Sequence, residues 1–329
     1  MAMRKKTFLI TGGTGSFGRA YGEFLLNKEI AHQVTIFSRD EQKHYQLMRE
    51  WHSFGDKVQF FLGDLRDYGR VKEATEKVDY VIHCAAMKHM PMAEMYVEEA
   101  IKTNILGSQN LIKACIENGV ERVVALSTDK AVMPINVYGA TKLLLERLFV
   151  SADANKHNDH TRFSVVRYAN VFGSKGSVVP LFLELRKFGM LPITHPEMSR
   201  FSITMPQGID LVEFALHNAL GGEVVVPIVP SYRVKNIANA ICEPCEKKII
   251  GARTAEKMHE QLIAAHEVPQ VVQVDGYYLV SPVNGRNTKE DYLEKLNATV
   301  PDNMHGYSSD KNTKWLSTGD IRDLLHQIK

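Results

Sequence analysis

The stretch that decides the fold is Thr7-Phe8-Leu9-Ile10-Thr11-Gly12-Gly13-Thr14-Gly15-Ser16-Phe17-Gly18. Its first five residues form a short run of strand type, and a helical pattern follows through about Asn27. Glycines 12, 15 and 18 make the G-x-x-G-x-x-G variant of a dinucleotide fingerprint. Glycine permits the tight strand-to-helix turn and lets backbone approach a pyrophosphate lying on the helix N-terminus. Three glycines alone carry little; between a first strand and a first helix they are specific.

Working outward, strands are expected at residues 33–38, 58–63, 79–84, 122–127 and 163–168, alternating with helical segments. That alternation predicts an α/β fold, a Rossmann-like doubly wound parallel sheet. The second strand ends Phe37-Ser38-Arg39-Asp40, with Lys43 close behind. A carboxylate directly at this strand end would suit the ribose hydroxyls of NAD. A hydroxyl and a guanidinium suit a 2′-phosphate instead, so the expected cofactor is NADP. The competing reading pairs Arg39 with Asp40 or Glu41 on the surface. Asp64, after the third strand, is placed to accept from an adenine amino group, and Asp67 reads as the cap of the next helix. Ala85-Ala86 after the fourth strand can pass under a cofactor, and Lys88 and His89 follow toward the same cleft. A single long helix is expected over residues 92–118.

Ser127-Thr128-Asp129-Lys130 and Tyr138-Gly139-Ala140-Thr141-Lys142 then put several reactive groups at one strand end. Tyr138 and Lys142 are four apart and share a helix face. A lysine ammonium beside a phenol favours the phenolate and is expected to lower its pKa toward a usable acid/base. Pro134 is expected in the first turn of that helix.

The 329-residue chain has 44% apolar and 24% charged residues and a formal net charge of +2. That composition suits a soluble globular protein and offers no reason to invoke nucleic acid or a membrane. No run reaches the ~18–20 apolar residues that span a bilayer. Met1 to Lys6 is a short basic lead-in with no apolar signal core. Of the four cysteines, Cys84 and Cys115 fall in expected core elements. Cys242 and Cys245 form a lone C-x-x-C without partners for a zinc site. No metal is expected, and the thiols suit a reducing cytoplasm. Residues 1–172 are expected to form the NADP-binding domain. Residues 173–329 are expected to form mainly a smaller mixed α/β substrate lobe, with room for segments that return to the first domain. Helices are expected there over residues 178–187 and 207–220, with a strand near 223–227, and the tail after Asp302 is expected to dock through Tyr307, Trp315 and Leu316.

These segments together resemble the extended branch of the short-chain dehydrogenase/reductase superfamily, and within it the inverting UDP-N-acetylglucosamine 4,6-dehydratases of pseudaminic acid synthesis. The resemblance covers nearly the whole chain, and Thr128-Asp129-Lys130 is its most specific part. Retaining dehydratases generally carry Asp-Glu there. Departures stand at Thr254-Ala255, Lys175 and Ser202, all in the substrate lobe. Other outcomes within the branch are a retaining 4,6-dehydratase, a 5,6-dehydratase or a 4-epimerase. A Rossmann redox sensor without catalysis is disfavoured by the intact Thr128, Tyr138 and Lys142.

The resemblance implies a hydro-lyase with tightly bound NADP recycled within each turnover. Thr128, Asp129, Lys130, Tyr138 and Lys142 would be catalytic: Tyr138 would take the 4-hydroxyl proton. Lys130, its pKa lowered by burial and Lys142, would take the C5 proton, and a protonated Asp129 would donate to the leaving 6-hydroxyl. The cofactor set is Gly12, Thr14, Gly15, Ser16, Phe17, Gly18, Ser38, Arg39, Lys43, Asp64, Leu65, Ala85, Ala86, Lys88, Thr103, Tyr138 and Lys142. Lys88, Met90, Asn170, Val178, Arg200, Arg253 and Glu256 would hold the nucleotide sugar. A homo-oligomer, dimer or hexamer, is expected from the relatives, with Met92 and Met95 suited to an interface or to the core.

Overall fold

The computed structural model describes residues 5–155, 160–174, 176–252 and 254–327. Six parallel strands form the first part of a nine-stranded sheet: β1 (Lys6–Thr11), β2 (Ala31–Ser38), β3 (Val58–Leu62), β4 (Tyr80–His83), β5 (Arg122–Thr128) and β6 (Arg162–Tyr168). Their spatial order is β3-β2-β1-β4-β5-β6. The order reverses between β1 and β4, and a crevice at the carboxyl ends of the strands opens there. β4 and β5 are buried almost throughout, as expected for strands covered on both faces.

The sheet continues with segments from later in the chain. Val224–Pro227 pairs parallel to β6, Tyr277–Val280 runs antiparallel to it, and Val271–Val274 closes the far edge. Helices Gly107–Glu117 and Val137–Asp153 pack together, the second against β5 and β6; Ser16–Asn27 and Met205–Asn218 pack together elsewhere along the sheet. A smaller core of Val179, Phe182, Leu191, Ile193, Ile237 and Ile321 joins the helices Val178–Leu185, Val234–Ile241 and Thr318–His326. The tail is docked: Tyr307 is buried, and Thr318–His326 packs on Val234–Ile241.

Three expectations need correcting. The long helix over residues 92–118 is broken. Met90–Met95 ends at Tyr96 (φ −123°, ψ 62°), Val97–Ile101 follows, and Lys102–Leu106 is a π-helical turn before Gly107–Glu117. The wide turn accompanies Asn104, which is buried and turned inward: its Oδ1 accepts from Met87 N at 2.8 Å and its Nδ2 donates to Met87 O at 3.0 Å. Pro134 lies ahead of its helix rather than in the first turn, as described below. Cys242 and Cys245 are joined in a disulfide, their Cα atoms 5.4 Å apart and so within bridging reach. Among the described residues no cluster could hold a metal, and no helix is long and apolar enough to cross a membrane.

Behind the sheet, Glu223 and Asp153 are fully buried near one another. Tyr292 donates to Glu223 Oε2 at 2.7 Å and Gly221 N donates at 2.9 Å, while Oε1 has no donor among the described residues. Burial pushes the Glu223 carboxyl up to about 7, and the neighbouring Asp153 adds to it. A carboxyl raised in the folded state contributes stability that is present below its ordinary value of 4.5 and lost as pH rises toward about 7. Glu223→Gln mimics the protonated acid. Thermal melts should show the variant gaining on the wild type by up to roughly 3 kcal/mol between pH 5 and 8. A constant difference across that range would refute this account.

Candidate active site at the end of the fifth strand

β5 ends at Thr128 and runs directly into a single helical turn, Asp129–Ala131. Asn136 caps the following helix by accepting from Gly139 N at 2.7 Å, and Pro134 stands two residues before that cap. The cap needs a side-chain acceptor, which proline lacks. Gly139 is required for another reason: a Cβ there would fall 2.2 Å from Lys130 O. The helix therefore lies directly on the backbone of the reactive turn.

Within this turn the Thr128 hydroxyl donates to Asp129 Oδ1 at 2.8 Å. Lys130 Nζ donates to the same oxygen at 3.0 Å and lies 3.3 Å from Glu260 Oε1. Tyr138 hydrogen-bonds with Thr128 and feels the charges of Lys130 and Asp129. Lys142 is buried and donates to Leu126 O at 2.5 Å.

The electrostatics differ from the sequence-based expectation at two groups. Burial pushes the Tyr138 phenol up to about 12, because loss of water around a phenolate outweighs the opposing effects of Lys130 and the Thr128 hydrogen bond. The cation acting on Tyr138 is thus Lys130, while Lys142 is turned to the Leu126 carbonyl. Lys130 itself is raised rather than lowered: burial works to lower it, but the adjacent carboxylates of Asp129 and Glu260 together prevail. Burial brings Lys142 down to about 8, with Glu146 opposing.

Around the first turn the backbone is shaped for a close guest. Gly12 has φ +66°, and a Cβ on it would lie 2.8 Å from Ala85 N and Cα. A Cβ on Gly18 would lie 2.7 Å from Gly13 Cα. Gly15 caps helix Ser16–Asn27, so the exposed amides around Ser16 and Phe17 face the crevice end of the sheet. Thr14 donates to Ser38 Oγ at 3.0 Å, joining two of the expected cofactor residues. Arg39 is largely exposed and 3.9 Å from Asp64. Lys43 is paired with Asp40 at 2.5 Å. The Asp64 carboxylate is gripped by Arg66, whose Nη2 lies 2.6 Å from Oδ2, and does not stand open as expected. Ala85, Ala86 and Thr103 are half-buried and Leu65 is buried, with Leu65 against Gly107. These residues fit a dinucleotide.

On the other side of Lys130 a cavity opens, lined by Met90, Asn170, Val178, Arg200 and Glu256 together with Lys257 and Glu260. Asn170 Oδ1 is buried without a donor among the described residues. Arg200 donates to Glu256 Oε1 at 3.1 Å and to the carbonyls of Ser199 and Met258. Lys88 is exposed and does not line this cavity. Arg253 and Lys175 lie outside the described residues. Ser202, one of the departures, is buried in the strand Ser199–Ile203.

A model of the polysaccharide biosynthesis protein family matches residues 8–282. The chain belongs to this family. It is 43% identical, over 98% of this chain and 98% of the other, to a UDP-N-acetylglucosamine 4,6-dehydratase (inverting) of Campylobacter jejuni. It is 38% identical, over 97% and 95%, to a UDP-glucose 4-epimerase of Rickettsia felis. The first of these relatives bears a hydro-lyase name, the enzyme class the sequence implied. Among solved structures it resembles Pen from Bacillus thuringiensis, with 33% identity, TM-score 0.88 and coverage of 99% and 100%. The dTDP-glucose 4,6-dehydratase DesIV of Streptomyces venezuelae, solved with NAD and TYD, shares the fold at 19% identity, TM-score 0.68 and coverage of 77% and 86%.

Four residues at or beside the site were absent from the sequence-based set: Glu260, Lys257, Asn136 and Asn104. Each was visible as a polar residue beside a motif, Glu260 at the end of Glu256-Lys257-Met258-His259-Glu260. Glu260 and Asn104 find their partners in distant segments, so spacing gave no cue, whereas Asn136 is a helix cap three residues ahead of Gly139, a signal the sequence did offer. Asn104 also donates to Thr141 on the helix of Lys142.

The cradle makes a direct prediction. Gly12→Ala places a side chain at positive φ and against Ala85, strain of ~1–2 kcal/mol before the clash is counted. Nicotinamide nucleotide released from the denatured variant should fall about tenfold or more relative to wild type. Undiminished nucleotide would place the cofactor elsewhere.

Proposed function

We propose that the protein carries out NADP-dependent 4,6-dehydration of UDP-N-acetylglucosamine with inversion at C5, giving a UDP-2-acetamido-2,6-dideoxy-L-arabino-hex-4-ulose. The observation that carries this is the Asp129–Lys130 pair, set 3.0 Å apart beside Thr128 and Tyr138, with Lys130 opening on the cavity of Arg200 and Glu256. A simple 4-epimerase needs only one acid/base and has no use for an added acid and base at this position. The nearly full-length match to a relative named as an inverting dehydratase supports the same reading.

Bound NADP would accept hydride from C4 and return it at C6. Tyr138, hydrogen-bonded with Thr128, takes the 4-hydroxyl proton as its own proton passes to solvent; burial suppresses its acidity, so the two transfers occur together. The 4-ketone then acidifies the C5 hydrogen. Lys130 takes the C5 proton once its own extra proton has been shed. Asp129, protonated once the sugar is seated, gives that proton to the 6-hydroxyl, which leaves as water, and regains one from solvent; C5 is reprotonated on its opposite face. Arg39 and Lys43 favour a 2′-phosphate by charge and Ser38 by a hydroxyl donor, hence NADP over NAD. Arg200 suits the diphosphate and Glu256 a ribose hydroxyl. The setting is a cytoplasmic enzyme acting in surface-polysaccharide or pseudaminic acid synthesis, assembled as a homo-oligomer.

The 38% identity to proteins named UDP-glucose 4-epimerase favours a second reading, 4-epimerisation. Proton NMR of the protein with UDP-N-acetylglucosamine in deuterated buffer separates them. A new C6 methyl signal with deuterium at C5 and the L-arabino configuration is expected. A D-xylo product would overturn the inversion, and 4-epimer without a methyl signal would overturn dehydration.

Asp129→Asn should lower product formation by about 10²-fold or more while C4 oxidation, read as absorbance of reduced nicotinamide, persists. Unchanged turnover would remove Asp129 from the acid role. Arg39→Ser should cut the preference for NADP over NAD roughly 10-fold in binding titrations; an unaltered ratio would assign Arg39 to the surface pairing instead.

A further inference from the structure

Lys130 is held between two carboxylates, and only one of them, Asp129, has been given a task. The second is Glu260. Its side chain is almost fully buried, its Oε1 lies 3.3 Å from Lys130 Nζ, and it lines the cavity beside Lys130. Its backbone is pinned on both sides, since Glu260 N donates to Ser309 Oγ at 3.0 Å and Ser309 N donates to Glu260 O at 2.8 Å. Glu260 Oε2 has no hydrogen-bond donor among the described residues; Lys257 Nζ is 3.7 Å away and donates to Val132 O. A buried carboxylate oxygen left without a donor is costly. It is satisfied if that carboxyl carries a proton for part of the cycle.

We propose that Glu260 is the positioning residue for Lys130, holding its ammonium toward C5 of the sugar and receiving its proton when substrate fills the cavity. The inference rests on the reading of Lys130 as the C5 base. In the transfer one Lys130 N–H bond breaks and one Glu260 O–H bond forms. An ammonium–carboxylate pair becomes an amine and a carboxylic acid, with no change in net charge. The amine lone pair then takes the C5 proton and becomes an ammonium again; Glu260 releases its proton to solvent, and solvent supplies the proton that C5 takes on its opposite face.

The surroundings favour this exchange. The groups that face Glu260 are Asp129 and Lys130 from the end of β5, Arg200 from the strand Ser199–Ile203, and Lys257. Burial and the Asp129 charge raise the Glu260 carboxyl, while Lys130, Arg200 and Lys257 oppose. The Lys130 side chain still has 17% of its surface exposed. A sugar seated there removes the remaining water, and desolvation favours the neutral pair over the ionised one. Substrate binding thus frees the base only when there is a C5 proton to take.

The test starts with wild type in deuterated buffer with UDP-N-acetylglucosamine. Absence of dehydration there sinks the functional reading itself, before Glu260 is at issue. With wild-type activity in hand, Glu260→Gln should still reduce the bound nicotinamide by C4 oxidation in a single turnover. Its C5 deuterium exchange and product formation should fall about 10²-fold. Lys130 in that variant must lose its proton to solvent, so the residual rate should climb with pH, about tenfold per unit, where wild type is flat. Glu260→Asp, which keeps a carboxyl, should recover part of the exchange and the flat profile, and serves as the test should Glu260→Gln fold poorly. Wild-type exchange in Glu260→Gln would overturn the proposal. So would an equal loss of C4 oxidation and C5 exchange with an unaltered pH profile, the mark of a merely structural role.

Discussion

The guanidinium of Arg167, buried on β6, is the interaction on which the site depends. It donates to both oxygens of Glu146 at 3.0 and 2.8 Å, to both oxygens of Glu267 at 2.9 and 2.7 Å, and to Leu262 O at 2.9 Å. Glu146 sits one turn beyond Lys142 on the same helix and also accepts from the Ser127 hydroxyl. One cation thereby ties β5, β6 and the reactive helix to a segment some hundred residues later. Breaking such a buried pair leaves an uncompensated charge, which typically costs ~3–5 kcal/mol. The position of Tyr138 and Lys142 is therefore set by the whole fold, and Leu262, held by the same cation, lies two residues from Glu260.

A second layer of charge is built on this frame. Asp129, Glu256 and Glu260 face Lys130, Arg200 and Lys257 around the cavity. Opposed signs in equal number keep a buried polar cluster tolerable, yet Asp129 Oδ2 and Glu260 Oε2 remain without hydrogen-bond donors among the described residues. Unmet acceptors next to a raised lysine suit a site where protons move between groups rather than one that merely holds the chain together. The raised Tyr138 fits the same pattern: a phenol kept protonated in the dry site gives up its proton only during the chemical step.

Much of the first half was legible in the sequence because its signals are local. The glycine turn at residues 12–18 and the apolar strands at 122–128 and 162–168 depend on neighbours within a few residues, as does the Asp67 cap, which accepts from Arg70 N. Where a remote partner overrides local pattern, sequence reasoning failed. Residues 92–118 keep helical spacing throughout, yet Asn104 reaches Met87 and the helix breaks and widens. Lys130 looked like a depressed amine beside Lys142, but the adjacent Asp129 carboxylate raises it, joined by Glu260 from more than a hundred residues later.

By itself, then, the sequence determined the glycine-rich cradle, the alternating strands and helices, and the strand end and helix that carry Thr128, Asp129, Lys130, Tyr138 and Lys142, the residues proposed here as catalytic. Each is encoded within one element or one turn. The tertiary structure alone decided how those groups are charged, because charge depends on burial and on neighbours from segments far apart in the chain. It also decided that Lys142 faces a carbonyl, that Arg200 answers Glu256, and that Lys130 stands between two carboxylates. No spacing in the sequence records a distance across a cavity.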